Sequence, residues 1–269
     1  MGLIMVRSFV RHRIIGVIPA RFASSRFPGK SLAEFAGKTI IQHVFERASQ
    51  ARTLDGLLIA TDDDRIRTVA EKFGAPVRMT RSDHLSGTDR VAEAAESEDA
   101  GIVVNIQGDE PLIDPAAIDA ASLSLVDDTR APMATLKKKI EDLQEFTNPN
   151  VVKVVTDGAG NALYFSRSPI PHDLSGEAAH FKHIGLYVYR KEFLLSYSSL
   201  PVGPLERAER LEQLRALENG FPIRVVETEY ESLGVDTPDD LRRVERIYQA
   251  SVERKSGASG SAAGADRRA

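Results

Sequence analysis

The chain has 269 residues, enough for one large domain or two small ones, and its 42% hydrophobic and 28% charged residues are typical of a folded globular protein. Its net charge of −4 provides no overall basic field for nucleic acid, and no apolar run reaches the ~20 residues of a membrane span. The absence of cysteine excludes disulfides, thiolate catalysis and Cys-ligated zinc, and it agrees with a reducing, cytoplasmic compartment. We therefore expect neither nucleic acid nor a membrane as a partner.

The two ends of the chain differ in composition from the middle. Residues 1–12 hold short apolar pieces interrupted by Arg7 and Arg11, without the apolar core or cleavage site of a signal peptide, and we treat them as an N-terminal extension. Residues 251–269 are rich in Gly, Ser and Ala, which predicts a disordered tail. Residues 13–250 contain no long linker and are expected to form a single domain.

The first predicted element is a buried strand over residues 14–18, an apolar, β-branched run that stops at Pro19. The loop after this strand is rich in groups that bind anions, namely Arg21, Ser24, Ser25, Arg26 and Lys30. A loop at the carboxyl end of a first strand is where α/β sheets bind ligands, and small residues let backbone N–H groups approach an anion. The pattern indicates a polyphosphate site, and the alternative is a solvated basic turn.

Strand and helix patterns then alternate. Helical faces are predicted over residues 38–51 and 66–74 and from Asp89 onward, and short buried strands over residues 57–60, 77–79 and 102–106. In the second half, strands are predicted over residues 133–136, 151–155, 162–165, 185–189 and 223–226, with a helix over residues 205–218. A closing helix starts with Thr237 as N-cap and Pro238 in its first turn. We expect one α/β domain whose mainly parallel sheet is covered on both faces and carries an inserted antiparallel part.

Two aspartates follow strand patterns and are candidate metal ligands. Asp109 comes after the central strand, between Gly108 and Glu110-Pro111, and Asp236 follows Gly234-Val235 near the C-terminus. Carboxylate and phosphate oxygens are the ligands with which proteins hold Mg²⁺. Each aspartate alone also fits a turn or a helix start. Together with a loop that suits a triphosphate, the pair favours a Mg²⁺ site.

Some other polar motifs allow two interpretations, and the absence of others argues against particular classes of enzyme. Residues 86–90, SGTDR, could hold a base or ribose, or could be a helix start capped by Thr88. Residues 62–64, three aspartates, formally fit an Asp-x-Asp metal motif, but they close the second strand, and we interpret them as a solvated turn and helix start. His183 and Tyr187 would point to one face of a strand. The chain lacks the His pair of zinc hydrolases, the Gly-x-Ser-x-Gly elbow and a complete P-loop.

Nine blocks in family order over about residues 13–250 resemble CMP-KDO synthetase, the 3-deoxy-manno-octulosonate cytidylyltransferase family. They are IPARFASSRFPGK, ATDDDRI, MTRSDHLSGTDRVAEA, VVNIQGDEP, NPNVVKVV, ALYFSRSPIP, KHIGLYVYR, PLERAERLEQLR and GVDTPDDL. The resemblance implies a three-layer, Rossmann-like nucleotidyltransferase fold and a homodimer. Residues of about 130–200 would carry elements for sugar binding and dimerisation. It also implies the reaction of CTP with KDO, giving CMP-KDO and diphosphate for lipopolysaccharide synthesis.

The resemblance also implies a role for individual residues. Those that would bind CTP are Arg21, Ser24, Ser25, Lys30, Arg81, Ser86, Gly87, Thr88, Arg90 and Gln107. Those that would line the sugar site are Arg167, His183, Tyr187, Glu212 and Gln213. Asp109 and Asp236 would hold Mg²⁺, and with Arg21 and Lys30 they would form the catalytic group.

Three alternatives remain open from the sequence. The nearest is a cytidylyltransferase for another acid sugar, either 8-amino-KDO or sialic acid. More distant are a nucleotide-sugar glycosyltransferase and a non-catalytic nucleotide-binding protein.

Overall fold

Strands and helices alternate along the described part of the chain. The computed structural model describes residues 13–24, 26–128 and 130–263, so the extension expected over residues 1–12 lies outside it. The strands are β1 (Ile14–Ala20), β2 (Glu34–Phe35), β3 (Lys38–Thr39), β4 (Gly56–Thr61), β5 (Val77–Met79), β6 (Ile102–Asn105), β7 (Met133–Lys139), β8 (Lys153–Thr156), β9 (Ala162–Ser166), β10 (Phe181–Arg190) and β11 (Ile223–Glu227). The helices are α1 (Ile40–Ala48), α2 (Asp64–Lys72), α3 (Gly87–Glu96), α4 (Pro115–Asp127), α5 (Leu143–Thr147), α6 (Lys191–Tyr197), α7 (Pro204–Glu209), α8 (Leu214–Glu218) and α9 (Pro238–Ala263).

The main sheet has the strand order β11-β7-β10-β6-β1-β4-β5. β1 pairs in parallel with both β4 and β6, and β11 pairs in parallel with β7. β10 runs antiparallel to β6 and β7, and the antiparallel β8–β9 hairpin joins the sheet through β10. The predicted mainly parallel α/β sheet with an inserted antiparallel part is confirmed.

The core lies on both faces of this sheet, because successive side chains of a buried strand point to opposite sides. Ile18 of β1 packs in one apolar cluster with Ile41 of α1. Its neighbour Val17 packs in the other cluster, with Val91 of α3 and Leu194 of α6. All five side chains are fully buried. The result is three layers, helix, sheet and helix, in which β1 is central.

The first strand is longer than predicted. β1 continues through Pro19 to Ala20, with Pro19 in register with Ala60 of β4. The pairing of β1 with β6 ends at Val17, whose carbonyl accepts a hydrogen bond from Ile106 on that side. The backbone nitrogen of Pro19, which carries no hydrogen, therefore faces the side on which β1 no longer pairs with β6. A proline at this position removes no hydrogen bond between the strands.

The single helix predicted over residues 205–218 is wrong. α7 ends at Arg210, which has a left-handed backbone (φ 53°), and a short loop leads into α8. Helical periodicity in the sequence does not report such a break, because Arg is a good helix former and has no preference for left-handed geometry. The break puts Glu212 and Gln213 on a loop.

The helix caps were predicted with mixed success. Thr237 caps α9 as predicted, since its hydroxyl accepts from the Asp240 N–H while the Asp240 carboxylate accepts from the Thr237 N–H. Thr88 does not cap α3. Ser86 does, because its hydroxyl accepts from the N–H of Asp89, the third helical residue, in a capping box.

The end of the chain also differs from expectation. α9 runs on to Ala263, so the segment expected to be a disordered tail from residue 251 is helical over its described part. Ala, Glu, Arg and Lys in this segment favour helix, and Gly257 and Gly260 do not stop it before Ala263. Residues 264–269 lie outside the described residues.

Candidate active site

A cleft of about 380 Å³ opens at the carboxyl end of β1 and β6. The two strands are parallel neighbours, so the loops that follow them meet at one edge of the sheet. The polar residues around this cleft come from five separate segments. They are Arg21, Ser24, Arg26, Lys30, Ser31, His84, Ser86, Arg90, Gln107, Asp109, Glu212 and Asp236.

The loop after β1 forms the basic wall of the cleft. Gly29 has a left-handed backbone (φ 71°), and a Cβ on it would lie 3.1 Å from the Phe22 ring, so glycine is required for this turn. The Gly29 N–H donates to the Phe22 carbonyl at 2.9 Å, and the Arg65 guanidinium stacks 3.3 Å from the Phe22 ring centre. The turn holds Arg21, Ser24 and Arg26 along the cleft as predicted. The predicted site residue Ser25 lies outside the described residues.

Lys30 lies between the two predicted metal ligands. Its Nζ donates to Asp109 Oδ2 at 2.6 Å and to Asp236 Oδ1 at 3.0 Å, and Arg26 contacts the other Asp236 oxygen at 2.9 Å. Burial lowers the pKa of Lys30, but attraction to Asp109 and hydrogen bonds to both carboxylates outweigh this, and the pKa is raised. The structure thus brings Asp109 and Asp236 together, with a cation between them.

The donor set fits a Mg²⁺ ion that is completed by substrate. Among the described residues there is no group of three or more His, Cys, Asp and Glu side chains that could enclose a metal. Mg²⁺ usually takes only one or two protein carboxylates and fills its octahedron with phosphate oxygens and waters. Asp109 and Asp236 supply two carboxylates, and their side chains are 30% and 43% exposed, so both can be reached from the cleft.

Glu110 ties together the segments that carry the two aspartates. It is 7% exposed, and its carboxylate accepts from Tyr230 Oη at 2.8 Å and from Ser232 Oγ at 2.6 Å. The Val235 N–H also donates to the Asp109 carbonyl at 2.8 Å. Burial raises the pKa of Glu110 even though both hydrogen bonds lower it. The Asp236 segment is therefore docked directly on the Asp109 loop.

The start of α3 forms the opposite wall. Ser86, Gly87 and Arg90 line the cleft together with Gln107, as predicted. Arg90 is 4% exposed, and it donates to Thr80 Oγ1 at 2.5 Å and to the Arg81 carbonyl at 3.3 Å. It braces the wall from inside rather than projecting freely into the cleft.

Two residues near this wall differ from expectation. Arg81, predicted to bind CTP, has a side chain that is 70% exposed and lines a neighbouring surface groove instead of the cleft. Asp62, interpreted as part of a solvated turn, lies 3.4 Å from the buried Arg90 through Oδ2, and its Oδ1 is buried without a hydrogen-bond partner. Asp62 is at a bend as expected, but its carboxylate is not solvated. The expected helix start is confirmed at Asp63, whose carboxylate caps α2.

A second, smaller cavity of about 230 Å³ adjoins the cleft, and we call it the tyrosine chamber. The two cavities share Pro19, Gly87, Gln107 and Glu212 in their walls. The remaining lining residues of the tyrosine chamber are Thr88, Asn105, Tyr187, Tyr189, Tyr197, Arg210, Leu211 and Gln213. Of the predicted sugar-site residues, Tyr187, Glu212 and Gln213 lie here.

Hydrogen bonds hold the loop between α7 and α8 against this chamber. Tyr197 Oη donates to the Glu212 carbonyl at 2.7 Å, and Tyr187 Oη donates to Gln213 Oε1 at 3.2 Å. Burial raises the pKa of the Glu212 carboxyl, although a hydrogen bond from Thr88 and the nearby Arg215 lower it. The loop therefore presents a partly desolvated acid and a fixed amide to the chamber.

Two predicted sugar-site residues do not line either cavity. The Arg167 guanidinium donates to the carbonyls of Glu209 at 2.8 Å and Pro149 at 3.1 Å. His183 Nε2 lies 2.9 Å from Thr135 Oγ1, and its ring centre is 5.5 Å from that of Tyr187. Burial lowers the pKa of His183 to about 3, so its imidazole is neutral near pH 7. His183 packs beside Tyr187 of the chamber wall, whereas Arg167 holds two segments that lie outside both cavities.

Sequence reasoning missed Glu110 and Asn105 as parts of the site. Glu110 stands before Pro111 in a turn pattern a few residues beyond β6, and a carboxylate at such a position can be buried only where it finds partners. Asn105 is a polar residue at the end of the otherwise apolar strand β6, and that position faces the ligand edge. Both signals were present, but neither was distinctive.

The fold and the cleft define an α/β enzyme that handles an anionic nucleotide at the carboxyl edge of its sheet. The cytidylyltransferase family profile matches residues 15–230. The 3-deoxy-manno-octulosonate cytidylyltransferase of Solibacter usitatus (strain Ellin6076) is 69% identical over 242 residues, which cover 89% of this chain and 96% of that protein. The enzyme of the same name from Syntrophotalea carbinolica is 59% identical, covering 86% and 97%. The chain belongs to the 3-deoxy-manno-octulosonate cytidylyltransferase family.

Solved structures agree with this placement. A CMP:2-keto-3-deoxy-manno-octonic acid synthetase complexed with CTP superposes with a TM-score of 0.86 at 43% identity, covering 89% of this chain and 99% of that one. A cytidylyltransferase from Leptospira borgpetersenii, 21% identical with a TM-score of 0.58, shares the fold. No helix in the described ranges is both long enough and apolar enough to cross a membrane.

Proposed function

We propose that this chain transfers a cytidylyl group from CTP to 3-deoxy-D-manno-octulosonate (KDO), releasing diphosphate and activating the sugar for lipopolysaccharide synthesis. The observation that carries the proposal is the meeting of Asp109, Asp236 and Lys30 in a basic cleft that adjoins the tyrosine chamber. The 69% identical relative bears the name of this activity. The cleft suits a nucleoside triphosphate, and the chamber suits a polar, hydroxylated molecule.

The chemistry requires placement and charge neutralisation, with no protein nucleophile. The anomeric hydroxyl of the sugar attacks the α-phosphorus, a new P–O bond forms, the bond to the diphosphate oxygen breaks, and the hydroxyl proton passes to water. Arg21 and Lys30 would stabilise charge that moves onto diphosphate, and Ser24 and Ser25 would hold phosphate oxygens. Ser86, Gly87, Arg90 and Gln107 would hold the cytidine and ribose.

Mg²⁺ is the proposed cofactor, and Asp109 and Asp236 would hold it. When bound, the ion supplies positive charge beside the phosphates and lowers the pKa of a nearby hydroxyl. Lys30 now neutralises the two carboxylates, so its ammonium would turn toward the phosphates as the ion takes its place. Tyr187, Glu212 and Gln213 would bind the sugar, with His183 packed beside Tyr187.

We further propose a cytoplasmic homodimer. A cytoplasmic site suits an enzyme whose substrate is CTP. Three of the most exposed large apolar side chains fall within residues 130–200, namely Leu143 (75%), Leu163 (62%) and Leu174 (92%), and large exposed apolar groups favour an interface. Sedimentation equilibrium at micromolar concentration should give a dimer mass, and Leu163→Glu should weaken it while Leu123→Glu, in α4, should not. A monomer mass for the unaltered chain would overturn the dimer.

The reaction is tested by measuring diphosphate release from CTP and Mg²⁺ with KDO, 8-amino-KDO or sialic acid added in parallel. Release with KDO above the other sugars is expected. Release with another sugar alone would keep the mechanism and change the substrate. CTP binding without release on any sugar would reject the proposed activity and favour a nucleotide-binding protein.

A further inference from the structure

Asn105 is a buried polar residue of the tyrosine chamber to which no role has been given so far. It is the last residue of β6, in register with Tyr187 of β10, and it is 3% exposed. Its Oδ1 atom is enclosed and has no hydrogen-bond partner among the described residues. The same is true of Gln213 Nε2, on a side chain that is also 3% exposed. Both residues line the same small cavity, and each carries one polar atom whose hydrogen-bonding capacity the protein does not use.

Such atoms are unusual, because a buried polar group without a partner loses its hydrogen bonds to water and gains none from the protein. Local relaxation does not remove the problem here. Tyr187 Oη donates to Gln213 Oε1, which directs the opposite side of that amide, Nε2, elsewhere. Tyr197 Oη holds the Glu212 carbonyl and so fixes the backbone of the loop. Asn105 sits on a strand whose backbone is paired on both sides.

The chamber adjoins the cleft proposed to bind CTP, since Gly87, Gln107 and Glu212 line both cavities. A sugar bound beside the nucleotide would therefore lie near Asn105. Most polar groups in the lining of the chamber are neutral, with three tyrosines, one threonine and three amides beside the charged pair Arg210 and Glu212. Such a lining matches hydroxyl groups, which both donate and accept, better than it matches a second phosphate.

We propose that Asn105 is a specificity residue for the sugar: its Oδ1 accepts a hydrogen bond from a sugar hydroxyl, while Gln213 Nε2 donates to a sugar oxygen. This inference rests on the proposed function and adds to it a residue and a direction of hydrogen bonding. Sites built to bond a hydroxyl reject analogues that lack it, because the protein atom is then left buried and unpaired. Asn105 thereby selects for hydroxylation at one position of the sugar.

The test combines Asn105→Ala with a set of monodeoxy analogues of KDO. We expect kcat/KM for KDO to fall roughly tenfold, the effect of one lost hydrogen bond, while the Kd for CTP measured by calorimetry stays unchanged. One deoxy analogue should show the same loss with the unaltered enzyme and no further loss with Asn105→Ala. For every other analogue, Asn105→Ala should lower kcat/KM by the same factor as it does for KDO, in addition to the loss caused by the missing hydroxyl.

Ser122→Ala is the matched control, since Ser122 Oγ is likewise buried and unpartnered but lies in α4, away from both cavities. It should change neither the sugar KM nor the Kd for CTP. Equal losses by Asn105→Ala on KDO and on every deoxy analogue, an unchanged kcat/KM, or a parallel loss of CTP binding would each overturn the inference while leaving the proposed function intact. Absence of diphosphate release by the unaltered enzyme would reject both.

Discussion

Lys30 and its two carboxylate partners show how little the wall of this cleft depends on neighbours in sequence. Asp109 and Asp236 are held on either side of one ammonium, at 2.6 and 3.0 Å. Without a cation between them the two carboxylates would repel each other, so Lys30 stabilises their close approach. The Mg²⁺ ion that we propose would be an alternative partner of the same carboxylate pair.

Asp109→Asn should lower diphosphate release by about a hundredfold or more at every Mg²⁺ concentration, because an amide cannot replace a carboxylate on the ion. The measurement is initial rate against Mg²⁺ concentration, with circular dichroism to show that the fold is kept. Asp64→Asn, at an exposed carboxylate in the first turn of α2, serves as the control and should keep full activity. Near-normal turnover of Asp109→Asn at saturating Mg²⁺ would contradict the metal assignment.

His183 links burial to acid sensitivity. Burial lowers its pKa from 6.5 to about 3, so between these values the unfolded chain binds more protons than the folded one. The free energy of unfolding should therefore be highest above pH 6.5 and decrease as the pH falls toward 3. Chemical denaturation of His183→Gln should show a weaker dependence between pH 7 and pH 5, with a residual slope from His43, whose pKa burial also lowers.

The exposed His172 is the matched control for this titration, because its ring meets water in the folded and unfolded chains alike. His172→Gln should keep the pH dependence of the unaltered protein. If the free energy of unfolding decreases equally steeply at acid pH in His183→Gln and in the unaltered chain, groups other than His183 cause the decrease.

Close contact between the ends of β1 and β6 sets the width of the cleft. A Cβ on Gly108 would lie 2.5 Å from the Pro19 carbonyl oxygen, a backbone atom that cannot turn away. The two loops that carry Lys30 and Asp109 therefore approach as closely as glycine allows. The distance between these elements, and with it the Lys30–Asp109 contact, depends on one missing methyl group.

Gly108→Ala should destabilise the fold by about 1–3 kcal/mol, the usual cost of overpacking, and should lower kcat as Asp109 moves outward. Thermal unfolding and steady-state rates measure the two effects. Gly158→Ala is the control, because a Cβ there meets nothing within 4 Å and the change should be neutral. Equal stability and activity for both variants would show that the loops can separate without consequence.

The site as a whole draws on segments from β1 to the start of α9, so nucleotide binding should stabilise the entire domain. A ligand at a hundred times its Kd raises the free energy of unfolding by about 2.7 kcal/mol. We expect CTP and Mg²⁺ together to raise the unfolding temperature more than CTP or Mg²⁺ alone, as followed by calorimetry. Asp236→Asn should keep the melting temperature of the free protein. It should lose the part of the ligand-induced increase in melting temperature that depends on Mg²⁺. Identical shifts with and without Mg²⁺ would contradict a shared CTP and metal site.

Patterns of near neighbours were enough to predict the sheet and most of the cleft. Alternating apolar runs identified the strands of the main sheet, including β5 to the residue, and the cationic loop after β1 and Asp109 after β6 were recognised at strand ends. These features depend on side chains a few positions apart, through pleat, helical period and turn chemistry, so a linear sequence carries them. Asp236 was also predicted to follow a strand, and this is wrong, because it lies between β11 and α9, well beyond the end of β11.

Contacts between distant segments had to be seen in three dimensions. Lys30 was expected to face phosphate and instead lies between Asp109 and Asp236, because its position depends on where two remote loops end. The break at Arg210 and the unpaired atoms of Asn105 and Gln213 are likewise visible only in the folded chain. Hydrogen bonds and burial between residues far apart in the chain depend on the three-dimensional packing and not on sequence periodicity. The sequence therefore identifies most residues of this site, and the tertiary structure determines which of them are in contact.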